Sequence, residues 1–86
     1  MNTLRDFLQS SFKEKCNWVI QTGDYLATRE VNGLKIYLYC GSGYFMEVYY
    51  SPNHKKVLMV NAFDALEGME PYLEMISLSE LNLPVM

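Results

Sequence analysis

The chain has 86 residues, half of them apolar and 14% aromatic, and a formal charge of −3. A chain this short fits one small domain, residues 1–86, of modest stability, because it buries only about two-thirds of the surface its unfolded form exposes. Ample apolar surface excludes a disordered chain. Scattered basic residues and a pI near 4.9 exclude nucleic acid as the expected partner, because such binders concentrate their Lys and Arg in a patch.

Charge is unevenly placed along the chain. Residues 1–56 carry all seven Lys and Arg against five acids, whereas residues 57–86 carry five acids and no Lys or Arg. That acidic third is read as a solvated surface or as half of a complementary contact between subunits. Met1–Phe12 has no continuous apolar stretch of the kind a signal peptide needs. No segment approaches the ~18 apolar residues that span a bilayer. The expectation is a cytoplasmic protein with no membrane partner. Cys16 and Cys40 are far apart and form no CxxC pair, so both are expected to be reduced structural thiols.

Thr3 is a helix cap with Asp6 three residues on, and Leu4, Phe7, Leu8 and Phe12 share one helical stripe. The spacing predicts an amphipathic helix over 3–16. Trp18–Gln21 is apolar and β-branched and reads as a first strand, followed by a Gly23-Asp24 turn. Tyr25–Val31 and Leu34–Cys40 read as strands joined by Asn32-Gly33, a strong hairpin signal. Tyr44–Tyr50 and Val57–Phe63 complete the strand pattern, separated by Ser51-Pro52-Asn53-His54. Asp64–Gly68 reads as one helical turn with Asp64 capping and Gly68 ending it. Tyr72–Ile76 reads as a last strand or as a short helix opened by Pro71, and Ser79–Leu81 as a final turn. The sum is an α+β fold: an N-terminal amphipathic helix packed on one face of a four- to six-stranded antiparallel β-meander.

Registers follow from parity. A two-residue loop at Asn32-Gly33 pairs Val31 with Leu34, Glu30 with Lys35 and Thr28 with Tyr37, bringing opposite charges together. A three-residue loop at Gly41–Gly43 pairs Cys40 with Tyr44, Leu38 with Met46 and Ile36 with Val48. A two-residue loop there would set Leu38 against Glu47, so the three-residue loop is preferred. One face is then nearly all apolar, and the other mixes charge with aromatics. Arg29 falls on the apolar face, where stacking on Trp18 would explain it.

No catalytic, cofactor or metal set emerges. His54 sits in a turn with nothing to orient it. One His and two distant Cys do not make a zinc motif. Asp64, Glu67, Glu70 and Glu74 lack the pattern of a calcium loop, and Gly41-Ser42-Gly43 lacks the Lys and Ser/Thr of a phosphate loop. Glu47 is the one acid in an aromatic setting, a candidate acid if buried, against the plainer reading that it pairs with Lys35.

The candidate interaction face is Lys35, Tyr37, Tyr39, Phe45, Glu47 and Tyr49, with Leu26 beside it. It is expected to be covered by the C-terminal segment (Leu81, Leu83, Pro84, Val85, Met86), by a second copy, or by a ligand or a peptide. The leading reading is a non-enzymatic interaction module that partners with itself as a homodimer or with another protein. The alternatives are a small-ligand binder or minor enzyme using the same face, and an inhibitor-type protein that presents its acidic third to a basic partner.

Overall fold

The computed structural model describes residues 3–41, 43–64 and 66–73. Two helices, α1 (Leu4–Gln9) and α2 (Phe12–Thr22), precede four strands, β1 (Asp24–Val31), β2 (Leu34–Gly41), β3 (Tyr44–Ser51) and β4 (Lys56–Phe63), and a 3-10 helix spans Leu66–Tyr72. The strands form one antiparallel meander in the order β1-β2-β3-β4. This is an α+β layout.

The N-terminal segment departs from the single helix expected over 3–16. Thr3 and Ser11 each cap a helix, and each forms a reciprocal capping box with an acid three residues on, Asp6 and Glu14. The Ser11 hydroxyl accepts from the Glu14 amide at 3.1 Å, and the Glu14 carboxylate accepts from the Ser11 amide at 3.0 Å. The Ser11 backbone and then its hydroxyl hold the Glu14 carboxyl below its ordinary value. Ser10 and Ser11 are extended, which breaks the helix there. The second box then carries α2 through Trp18–Gln21, the segment expected as a strand. A cap satisfies amide donors that only a helix leaves orphaned, so it outweighs the β preference of a short apolar run.

The β1–β2 hairpin has the expected register as far as Ala27: Val31 pairs with Leu34, Glu30 with Lys35 and Thr28 with Tyr37; a bulge at Leu26 then pairs Tyr25 with Tyr39 and turns it to the face opposite Ala27. Asn32 and Gly33 both have positive φ, 51° and 81°, which the two-residue turn requires. The β2–β3 register differs from the expected one. Gly41 pairs with Tyr44, Cys40 with Phe45 and Leu38 with Glu47, which is the two-residue loop. Two features favour it. Gly43 takes φ 87°, as a tight turn wants. Gly41 stays in the strand because a Cβ there would run into the carbonyl oxygen of Thr22, where α2 crosses the sheet.

Parity selects a register only where one face of the sheet meets water. Neither face of β3 does at its start, where Tyr44, Phe45, Met46 and Glu47 are all buried. Tyr44 and Met46 join Val60 and Ala62 beneath Phe7 and Val19 of the helices. On the opposite face Phe45 joins Leu38 and Ala27 beneath Met69 and Tyr72 of the 3-10 helix. The sheet is therefore sandwiched. Phe7, Leu38, Met46, Met69 and Tyr72 are fully buried, and each such large side chain stabilises by roughly 1.5–3 kcal/mol relative to exposure.

The 3-10 helix runs through Gly68 instead of ending there. A Cβ on Gly68 would overlap the Phe63 ring, so this glycine permits a close approach and does not act as a stop. Tyr72 closes the 3-10 helix and is no strand residue. Pro71 lies inside that helix and does not open it. Leu73 is a turn residue, and residues 74–76 of the expected last strand, the Ser79–Leu81 turn and the covering segment to Met86 lie outside the described residues.

Candidate functional site

The β2–β3 register divides the six residues of the expected interaction face. Lys35, Tyr37 and Tyr39 point to the side of the sheet that carries α1 and α2. Phe45, Glu47 and Tyr49 point to the side that carries the 3-10 helix. They form two surroundings, and each is best built up separately.

Glu47 is 5% exposed, and its carboxylate is fully engaged. The Tyr72 hydroxyl donates to Oε2 at 2.6 Å, Asn61 Nδ2 donates to Oε1 at 3.1 Å, and Arg29 makes a longer 3.4 Å ion pair with Oε2. The Arg29 guanidinium lies over the Tyr72 ring, 5.2 Å from its centroid, so Tyr72 takes the stacking role expected of Trp18. Trp18 sits in α2 within the core on the opposite face. Burial pushes the Tyr72 phenol far above its ordinary value, and its bond to Glu47 adds to that. Burial opposes the Arg29 charge, but Tyr72 and Glu47 outweigh it and its pKa is raised. The pairing of Glu47 with Lys35 does not occur, since the two lie on opposite faces. A carboxylate tied to three donors and roofed by a phenol is a structural clamp holding the 3-10 helix on β3.

Among the described residues the helix side of the sheet is only half covered. The core beneath α1 and α2 takes in Tyr44, Met46, Val60 and Ala62 of β3 and β4, with Tyr39 at its margin. Tyr25, Thr28 and Glu30 of β1, Lys35 and Tyr37 of β2, and Tyr50 of β3 share that side but belong to neither core cluster. Tyr25 is 58% exposed. The Tyr25 and Tyr39 rings meet edge to face at 5.9 Å, and those of Tyr37 and Tyr50 are tilted at 6.3 Å. The Tyr25 and Thr28 hydroxyls hydrogen-bond at 2.7 Å. Burial, then the neighbouring Tyr37 and Tyr25, raises the Tyr39 phenol. Glu30 and Lys35 are direct cross-strand neighbours, yet the one ion pair among the described residues is Arg29–Glu47. Among the described residues, then, a tyrosine surface is edged by an acid and a base that form no ion pair, with Tyr25 and Tyr50 in place of Phe45, Glu47 and Tyr49. Parity would have found Tyr50 had the β2–β3 loop been read as two residues.

The remaining chemistry is modest. The Ser51 hydroxyl lies 3.0 Å from His54 Nδ1 and accepts from the His54 amide at 3.3 Å. This fastens the β3–β4 turn, where Lys55 takes φ 52°. Cys16 and Cys40 are free thiols, each raised by burial and so protonated at neutral pH. Among the described residues no three His, Cys, Asp or Glu side chains gather for a metal, and no helix is long and apolar enough to cross a membrane. Comparisons with family models, curated proteins and solved structures return no match.

Proposed function

We propose that this chain is a small, non-enzymatic protein–protein interaction module of the cytoplasm, homo-oligomeric, working through the helix-free half of its sheet. The observation that carries this reading is the set Tyr25, Tyr37, Tyr39 and Tyr50, which lies together on the side of the sheet where the helices stop short. Tyrosine supplies large contact area at low conformational cost, with a hydroxyl for the polar rim, and aromatic residues are enriched at interface cores. The rival reading, a ligand-binding or enzymatic face, takes Lys35, Glu47 and the tyrosines as polar handles, and of these Glu47 is spent on Tyr72, Asn61 and Arg29. Replacing Tyr25, Tyr37 and Tyr50 together with Ala tests the proposal. The variant should keep its fold by circular dichroism and lose self-association in analytical ultracentrifugation. Undiminished association would move the interface elsewhere.

A further inference from the structure

We infer that the occupant of the tyrosine surface is a second copy of this chain, stacked face to face about a two-fold axis that runs parallel to the strands between β1 and β2. The inference rests on the interaction reading above and adds the partner's orientation. Its first support is charge. Glu30 and Lys35 are adjacent on this surface, one on β1 and one on β2, and neither forms an ion pair among the described residues. A two-fold along the strands lays β1 of one copy over β2 of the other, so Glu30 meets the partner's Lys35 and Lys35 meets the partner's Glu30. The same operation lays Tyr25 over the partner's Tyr39 and Thr28 over the partner's Tyr37. A two-fold across the strands would set both charges over tyrosine rows and leave them unpaired. The surface is thus self-complementary in one orientation, as an isologous contact requires.

The second support is shape. Packed sheets stand about 10 Å apart, about the thickness of a helix layer. The helices occupy that height over β3 and β4, and the end of α2 covers β2 at Gly41, so a partner's sheet fits in the same layer over β1 and the part of β2 that holds Lys35 and Tyr37, abutting α2. The alternative of edge-to-edge pairing is disfavoured by the outer strands themselves. Each carries a one-residue irregularity, Leu26 in β1 and Leu58 in β4, and bulges blunt an edge against added strands. Seven side chains of β1, β2 and β3 would face the partner, fewer than the roughly 20–30 residues a side of a standard interface, so the dimer should be reversible and dependent on concentration.

Charge reversal tests the orientation. Sedimentation equilibrium is run on the wild-type chain, Glu30→Lys, Lys35→Glu, their 1:1 mixture and the double variant Glu30→Lys/Lys35→Glu. Each single variant sets like charges against each other across the axis and should weaken its dimer about tenfold. In the mixture a copy with two bases at these positions meets a copy with two acids. Opposite charges then face each other at both symmetric contacts, so the mixture should dimerise at least as well as wild type. The double variant should recover as well; recovery in the mixture, where each chain keeps its own like-charged cross-strand pair, separates an interface effect from a folding defect. Wild-type dimers with singles unchanged, or singles weakened without recovery in the mixture, overturn the orientation and leave the interaction reading standing. A wild-type chain that never dimerises overturns both.

Discussion

Tyr72 and Glu47 are 25 positions apart in the chain and 2.6 Å apart in the fold, the phenol donating to a carboxylate on the middle of β3. The bond closes the 3-10 helix over one face of the sheet and turns a buried acid from a liability into a fastening. An unpaired charge at that depth would be strongly destabilising.

Tyr72→Phe should therefore cost about 1–3 kcal/mol, because it leaves a buried acceptor one donor short while keeping the ring in place. Urea denaturation of Tyr72→Phe, Glu47→Gln and the double variant gives the coupling. The two effects should be clearly less than additive, and full additivity would show that the residues do not act as a pair.

Alkaline pH should loosen the same contact. The folded-state pKa of Tyr72 is raised above the unfolded value near 10. The stabilisation from its protonated form is thus complete below about pH 10 and is lost as pH climbs toward the folded value. Tyr39, Tyr44 and Tyr49 are shifted in the same direction, burial being the first cause in each. By absorbance the phenols of Tyr39, Tyr44, Tyr49 and Tyr72 should ionise above the ordinary tyrosine value, that of Tyr72 together with unfolding. Ionisation of these four near pH 10 in the folded chain would contradict this.

Ser11→Ala should destabilise the fold by about 1 kcal/mol, the usual cost of an N-cap lost from a helix that packs on the core. The box is reciprocal, so Glu14→Ala should show part of the same loss. The check is the urea midpoint, with an unchanged slope.

Gly41→Ala should be worse than an ordinary glycine replacement in a strand. The added methyl meets the backbone oxygen of Thr22, and backbone gives way less readily than a flexible side chain, so a loss of about 1–3 kcal/mol is expected. Gly33→Ala meets nothing within 4 Å, and its cost is limited to the positive φ. Melting temperatures of the two variants should rank in that order.

Much of the fold was legible locally. Asn32-Gly33 set the first hairpin from Val31 back to Ala27, because its turn chemistry depends on two adjacent positions, but gave no sign of the bulge at Leu26 that turns Tyr25 to the other face. The Ser11–Glu14 box was equally local, but the apolar run at Trp18–Gln21 masked it, since four apolar residues suit a helix or a strand. The β2–β3 register was not local. It turns on whether Glu47 can be buried, and that depends on Tyr72, Asn61 and Arg29 arriving from three other segments. The candidate surface inherited that error: Lys35, Tyr37 and Tyr39 stand together, whereas the β3 contribution is Tyr50 and the 3-10 side keeps Phe45, Glu47 and Tyr49.

The central claim is that the tyrosine surface binds a second copy, and light scattering of the wild-type chain over a hundredfold range of concentration tests it most directly. The account predicts a molar mass that rises from one chain toward two and stops there, as a closed two-fold contact demands. A mass of one chain at every concentration, up to the millimolar range, would contradict it.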